Sequence, residues 1–186
     1  MRINTKFLVL LVLMLAFFIQ FANAQEQPKF RKYSGNGLKL EVAPLGLDQV
    51  RGFFIGRDFS PKDADFIAKT GCIFRSSIGN AGKNADESKI TVQLGKWQVI
   101  YNGEITSVKT REIWADIWTG RNLAETPKIA FHWALFPTLQ NYKPSDYNWG
   151  LISFALPPES VFDLQLVWLQ DGVEQKHILK DLKCGK

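Results

Sequence analysis

The sequence predicts a mainly β protein: an antiparallel β-sandwich, of which an immunoglobulin-like form is one version, with one short helix near residues 61–70. Three observations lead to this fold class. Short segments rich in aromatic and β-branched residues recur along the chain, separated by glycine- and proline-bearing turns. Asn102-Gly103 and Asp171-Gly172 are two-residue turns of the hairpin kind. Only one segment carries a full set of helix-capping signals, so we expect seven or eight strands in about 150 residues.

The first 24 residues have the pattern of a cleavable secretory signal. Arg2 and Lys6 precede an apolar block from Phe7 to Phe18, and Ala22-Asn23-Ala24 supplies the small residues of a cleavage site. The block is shorter than the roughly 20 apolar residues that a membrane anchor needs. We therefore predict cleavage near Ala24, a secreted or periplasmic protein, and no stable membrane anchor after cleavage.

Charge and methionine content exclude two classes of function. Residues 1–24 contain two of the 23 basic residues and none of the 18 acidic ones, which leaves 21 against 18, a net charge of +3, on the remaining 162 residues. Because these charges are scattered, with no dense basic stripe, nucleic acid is not an expected partner. Both methionines, Met1 and Met14, lie in the signal, which excludes a methionine-rich soft copper site. No cofactor is predicted.

The length after cleavage suits a single domain with one core. We predict a loosely ordered lead-in over residues 25–37 and one sandwich domain over residues 38–186. Cys72 and Cys184 are an even number of cysteines in an exported chain, where thiols oxidise, so they are expected to form one disulfide.

The first half of the domain contains the clearest helix. Residues 38–42 alternate apolar with polar side chains, which is typical of a half-buried strand, and the apolar run Val50–Ile55 follows a short turn. Ser60 is a predicted N-cap before Pro61, and Gly71 stands where a C-terminal cap is expected.

The second half is richer in aromatic and β-branched residues. The stretch 108–118 fits helical spacing as well as a strand, and we favour a strand because of its composition. Other predicted strands cover residues 89–101, 129–136, 149–156 and 161–169. Counting back from Asp171-Gly172 gives the register of the last hairpin, which pairs Trp168 with Gln175, Leu166 with His177 and Leu164 with Leu179.

Catalytic chemistry has few candidates. The chain has only two histidines, no Gly-x-Ser-x-Gly motif and no cysteine expected to be free, so a nucleophile–histidine hydrolase is not predicted. Glu112 and Asp116 would share a face if their segment were helical, which leaves a carboxylate-dependent hydrolase as a third hypothesis. Scattered surface acids are the commoner explanation of such a pair.

A metal site is the second hypothesis, that of a periplasmic copper or zinc accessory protein. His132 and His177 fall in predicted strands, and with a carboxylate such as Asp146 they could bind zinc or copper(II). No local pair such as His-x-His supports this hypothesis, and two ordinary histidines explain the pattern more simply.

Aromatic residues give the first hypothesis. Trp133, Phe136, Tyr142, Tyr147 and Trp149 fall within seventeen residues, and polar turn formers fill the section between Pro137 and Asn148. We expect Trp133 and Phe136 to fill the core. The predicted binding residues of this aromatic loop are Tyr142, Asp146, Tyr147 and Trp149. The sequence thus predicts a non-enzymatic binding or interaction module that recognises a protein or glycan partner.

Overall fold

The computed structural model describes residues 30–82 and 88–186 of the chain. The predicted signal peptide, residues 1–24, lies outside the described residues. The elements follow in this order: β1 (Arg31–Gly35), β2 (Leu38–Pro44), α1 (Leu47–Ile55), α2 (Pro61–Gly71), β3 (Ile73–Asn80), β4 (Ile90–Gln93), a 3-10 helix (Leu94–Lys96), β5 (Gln98–Tyr101), β6 (Glu104–Ser107), α3 (Arg111–Gly120), α4 (Glu125–Ala134), β7 (Leu139–Tyr142), β8 (Tyr147–Ser153), β9 (Val161–Gln170) and β10 (Val173–Lys183).

The strands form two antiparallel sheets. The first sheet has the order β1-β2-β3-β8, and the second has the order β6-β5-β9-β4-β7 with β10 on the other side of β9. Strand β9 is long enough to pair with two strands on one edge, with β5 at Asp163–Gln165 and with β4 at Trp168–Gln170. A mainly β, sandwich-like architecture is confirmed, and the immunoglobulin-like form stays a prediction.

The main core lies between the two sheets. Strands of the first sheet contribute apolar side chains such as Leu40 and Phe74, and β9 of the second sheet contributes Leu164 and Leu166. The fully buried Trp97, between the 3-10 helix and β5, belongs to the same core. Side chains alternate between the two faces of a strand, so the neighbours of these core residues point away from the inter-sheet space.

The helices form a third layer on the outer side of the first sheet. Ile73 and Leu151, which alternate with the inter-sheet residues Phe74 and Ile152, belong to a second buried cluster. The helices supply the rest of this cluster, whose largest members are Phe54, Trp114, Trp118 and Phe131. The first sheet is therefore covered on its inner face by the second sheet and at one end of its outer face by helices.

Two predicted strands are wrong. Residues 111–120 form helix α3, and residues 125–134 form helix α4. In α3 the buried Trp114 and Trp118 are four residues apart, so both side chains lie on the face that packs against the helical cluster. Burial of that face outweighs the strand preference of the aromatic and β-branched residues.

The expectation of one short helix and that of a loosely ordered lead-in also need correction. The apolar run Val50–Ile55 belongs to helix α1, in which the buried Val50 and Phe54 are again four residues apart. Part of the lead-in 25–37 is regular structure, since Arg31–Gly35 is strand β1 and pairs with β2 along its whole length.

The capped helix and the last hairpin are confirmed. Helix α2 covers Pro61–Gly71, and the Asp63 amide donates a hydrogen bond to the Ser60 hydroxyl at 3.1 Å. Its C-cap is Cys72, in a left-handed conformation with φ of 42°, and not Gly71 as expected, which is the last helical residue. All three residue pairs predicted for the β9–β10 hairpin occur in its register.

The predicted disulfide is present. Cys72, at the start of β3, is joined to Cys184, which follows β10, across a sequence separation of 112 residues. The bridge therefore ties the C-terminal end of the second sheet to the junction between α2 and the first sheet. Within residues 30–82 and 88–186, no helix combines the length and the apolar character that crossing a bilayer requires.

Candidate functional site

Part of the outer face of the first sheet is left uncovered by the helices. One row of this face runs across all four strands through Lys32, Glu41, Ser77 and Trp149, which are successive cross-strand partners. Such neighbours lie about 5 Å apart across the sheet. The row is polar except at its end, where Trp149 stands on the edge strand β8.

A groove lies between this uncovered face and the helical layer. Its volume is about 810 Å³, and its lining includes Phe30, Phe53, Trp133 and Trp149. We call it the tryptophan groove, because Trp133 and Trp149 are each 78 % exposed, more than any other large hydrophobic side chain of the described residues. The lining of the groove also contains polar and charged side chains, those of Glu41, Ser77, Arg57 and Arg75.

Trp133 was expected in the core and is instead an exposed residue of this groove. In helix α4, Phe131 and the following Leu135 are buried four residues apart, so Trp133 projects from a different side of the helix. The expectation that it fills the core is wrong, whereas Phe136 is a core residue as expected. Glu125 and Pro127 in the first helical turn were the signals that could have indicated a helix here.

Two arginines flank the aromatic lining. The guanidinium of Arg57 lies 3.5 Å from the centre of the Phe53 ring, and that of Arg75 lies 4.5 Å from the centre of the Phe30 ring. One nitrogen of Arg57 also donates a hydrogen bond to the Phe53 carbonyl at 2.9 Å. Among the described residues, neither arginine forms a salt bridge with a carboxylate.

Two predicted binding residues, Tyr147 and Asp146, extend the site along β8. Tyr147 is 73 % exposed and lies two residues before Trp149, on the same face of the strand. A smaller cleft of about 430 Å³ beside it shares Glu41 and Ser77 with the tryptophan groove. The carboxylate of Asp146 accepts a hydrogen bond from the Lys143 amide at 2.9 Å, so this residue shapes the turn that presents Tyr147.

Tyr142 does not belong to this surface. It lies on β7 opposite Ile90, and only 3 % of it is exposed, so its ring cannot stack on a ligand in this structure. Burial raises the pKa of its hydroxyl above the ordinary range of tyrosine. That hydroxyl has no hydrogen-bond partner among the described residues. Tyr142 is therefore a core residue, and we remove it from the candidate site.

The two histidines are not brought together. His132 is exposed on helix α4 in the helical layer, whereas His177 lies on β10 in the second sheet and stacks on Tyr33 at 4.0 Å between ring centres. The first sheet stands between these layers. No group of three metal-ligating side chains occurs in the part of the chain that the structure describes. The geometry therefore gives the metal hypothesis no support.

The carboxylate pair that prompted the hydrolase hypothesis is also poorly placed. Glu112 and Asp116 are one turn apart on α3, but the Glu112 carboxylate is hydrogen-bonded by the Thr138 hydroxyl. Burial alone would raise the pKa of Glu112, and the hydrogen bonds to its charged form outweigh burial and lower it to about 2. A glycosidase acid needs a raised pKa, so Glu112 is better explained as a link between α3 and the chain after α4.

The chain matches no protein-family model, and it matches neither a curated protein nor a solved structure. Any proposal about function therefore has to follow from the chemistry of the molecule's own surface. The tryptophan groove offers two exposed indole rings, two guanidinium groups and a polar floor, and it is the candidate site.

Proposed function

We propose that the protein is an exported, non-enzymatic binding module that recognises a glycan through the tryptophan groove. The observation that carries the proposal is the presence of Trp133 and Trp149, each 78 % exposed, in one groove whose lining also contains polar side chains. Exposed clusters of large aromatic rings usually mark a binding surface, because leaving them in water is unfavourable.

Glycans suit a surface of this mixed kind. A pyranose ring has an apolar face of C–H groups and a rim of hydroxyls, so it needs a flat ring to stack on and hydrogen-bonding groups beside it. A tryptophan ring can bury roughly 200 Å² on contact, and Glu41 and Ser77 provide acceptors and a donor at the floor. Two rings acting together could therefore hold a chain of sugars against the sheet.

A protein partner is the second candidate. Tryptophan and arginine are frequent in the energetic centres of protein interfaces, which favours it. Glutamate, serine and alanine are depleted from such interfaces, however, and Glu41, Ser77 and Ala130 all line the groove. The edge of β8 is also poorly suited to a peptide that adds as a further strand, since the Trp149 amide already donates to the Asn148 side chain at 2.9 Å.

The exported location rests on the signal-like first 24 residues and gains support from the disulfide. Structural disulfides form and persist mainly in oxidising compartments, and Cys72–Cys184 joins two distant parts of the fold. Outside the cytoplasm, polysaccharides are abundant ligands for a small binding domain.

Removing both indoles tests the proposal. We expect the purified wild-type protein to bind at least one class of oligosaccharide on a glycan array, with the affinity measured by calorimetry. Trp133→Ala with Trp149→Ala should weaken that binding by about tenfold or more, because each stacked ring contributes on the order of 1 kcal/mol. The melting temperature should hardly change, since both side chains are mostly exposed.

The matched control removes two exposed hydrophobic side chains from the second sheet. Ile105→Ala with Val173→Ala, at residues that are 63 % and 62 % exposed, should leave the affinity unchanged. A wild-type protein that binds no oligosaccharide, or a double tryptophan variant that binds as tightly as the wild type, would contradict the proposal.

A further inference from the structure

We infer that the glycan is acidic, with carboxylate groups along its chain, as in a polymer of uronic acids. This inference rests on the proposed glycan binding and adds the charge of the ligand. The inference is carried by the charges of the tryptophan groove, whose lining contains two arginines, Arg57 and Arg75, and a single acidic residue, Glu41.

The acidic residue of the groove is already neutralised. Glu41 forms a salt bridge with Lys32 at 3.0 Å, and the two are direct cross-strand partners on the outer face. The arginines have no such carboxylate among the described residues. The groove therefore has an excess of positive charge beside its tryptophans, and an anionic ligand would complement it.

The geometry of the arginines suits a carboxylate. Each guanidinium lies against a phenylalanine ring, which restricts its rotation while leaving N–H donors at its edge. A carboxylate can accept two parallel hydrogen bonds from such an edge, and less side-chain entropy is lost because the group is already held. Phe53 and Phe30 thus serve as supports that hold the two cations in the groove.

One further cation lies on this face near Tyr147, in a cleft that also contains the carboxylate of Asp146. Lys39 lies on β2 beside Gly79 of β3, and both line the smaller cleft with Tyr147. Gly79 keeps that part of the floor low, because a Cβ at this position would lie 2.7 Å from the Cβ of Tyr147. An extended chain with repeated carboxylates could follow the outer face from Arg75 past Trp149 to Lys39.

An acidic segment of protein would meet the same charges. The polar residues Glu41 and Ser77 in the groove favour a sugar chain. The experiment therefore includes an acidic polypeptide as a separate ligand. Poly-L-glutamate presents carboxylates on a flexible backbone with no sugar ring, so it separates charge from stacking.

The test compares acidic and neutral ligands of the same length. The acidic set contains hexamers of galacturonate, mannuronate and glucuronate, and the neutral set contains the corresponding hexamers of galactose, mannose and glucose. We expect the wild-type protein to bind at least one acidic oligomer about tenfold or more tighter than its neutral counterpart at low salt, with the difference shrinking as salt is added.

The variants assign this preference to the two arginines. Arg57→Gln with Arg75→Gln should lose the preference and bind acidic and neutral oligomers with similar affinity. The control Lys96→Gln with Lys180→Gln removes the same charge from exposed positions of the second-sheet side and should keep the preference. The tryptophan variants should lose both acidic and neutral binding.

The outcomes separate this inference from the function on which it rests. Three outcomes would overturn the inference of an acidic ligand and leave glycan binding intact. They are equal binding of acidic and neutral oligomers by the wild type, binding of neutral oligomers alone, and a preference that survives in the arginine variant. Tight binding of poly-L-glutamate with no binding of any oligosaccharide would overturn both, in favour of an acidic protein partner.

Discussion

Two tyrosines of the same loop region have opposite environments. Tyr142 is 3 % exposed and Tyr147 is 73 % exposed, although both stand among polar turn formers in the sequence. Tyr142 belongs to β7 of the second sheet and points into the core, whereas Tyr147 begins β8 of the first sheet and points outward. Which strand a residue joins therefore decides whether its ring is available for binding.

Single alanine substitutions should separate these two environments. Tyr142→Ala should lower the free energy of unfolding by about 3 kcal/mol or more, because it leaves a cavity in the core. Tyr147→Ala should lower it by less than about 1 kcal/mol. Urea unfolding followed by tryptophan fluorescence gives both values.

A third variant separates the ring of Tyr142 from its hydroxyl. Tyr142→Phe should leave the stability unchanged or raise it slightly, since the buried hydroxyl has no partner among the described residues. Equal losses for Tyr142→Ala and Tyr147→Ala would contradict the assignment of Tyr142 to the core.

At the scale of elements, helices α3 and α4 were predicted as strands for one reason. Composition in residues 108–136 favours strands, with β-branched Ile113, Ile117 and Ile129 and several aromatic residues. Burial decides otherwise, because Trp114, Trp118 and Phe131 pack together with ring centres 5.0–5.2 Å apart on the outer side of the first sheet. Local preference differs by fractions of a kcal/mol per residue, and burying one such ring is worth more.

Helix α2 was predictable because the residues that cap its start are adjacent in the sequence. The Ser60 hydroxyl accepts a hydrogen bond from the Asp63 amide at 3.1 Å. The Asp63 carboxylate accepts another at 2.8 Å from Arg121, the residue that follows α3. The cap therefore fixes the start of α2 and joins it to a neighbouring element.

Removing the cap should have a measurable but modest cost. Ser60→Ala should lower the free energy of unfolding by about 1 kcal/mol, because the first-turn amide loses its acceptor. Lys62→Ala, an exposed change in the same turn, is the control and should have almost no effect. Thermal unfolding followed by circular dichroism measures both, and equal stability of Ser60→Ala and wild type would argue against the cap.

At the scale of the whole molecule, the disulfide joins the layers. Cys72 lies where α2 ends and β3 begins, and Cys184 follows the last strand of the second sheet. On the chain-entropy model, closing a loop of this length restricts the unfolded chain by about 4 to 5 kcal/mol, although measured effects are usually smaller.

Breaking the bridge should therefore destabilise the whole fold. Cys184→Ala should lower the free energy of unfolding by about 2 to 5 kcal/mol, and Cys72→Ala should have a similar effect because either change removes the same bond. Guanidinium unfolding with and without a reductant measures this loss. An unchanged midpoint in both variants, or a wild-type midpoint that reductant leaves unmoved, would contradict a stabilising bridge.

The sequence by itself determined the features whose causes are local or covalent. Ser60 and Pro61 are local signals for the start of a helix, and Asp171-Gly172 sets the register of its hairpin. The two cysteines, in a chain with a signal-like start, were expected to pair, and they do. Trp149 was predicted at the site because an aromatic next to polar turn formers is exposed unless something covers it.

Only the tertiary structure decided which surfaces are covered. The helical layer buries Ile73 and Leu151 but leaves Trp149 exposed, and it places Trp133 in the same groove as Trp149. The first sheet likewise places Arg75 of β3 beside Phe30, which precedes β1 and lies far from Arg75 in sequence. Such contacts depend on how the layers pack. Packing brings together residues that are distant in sequence, and no local sequence pattern predicts which of them will be in contact.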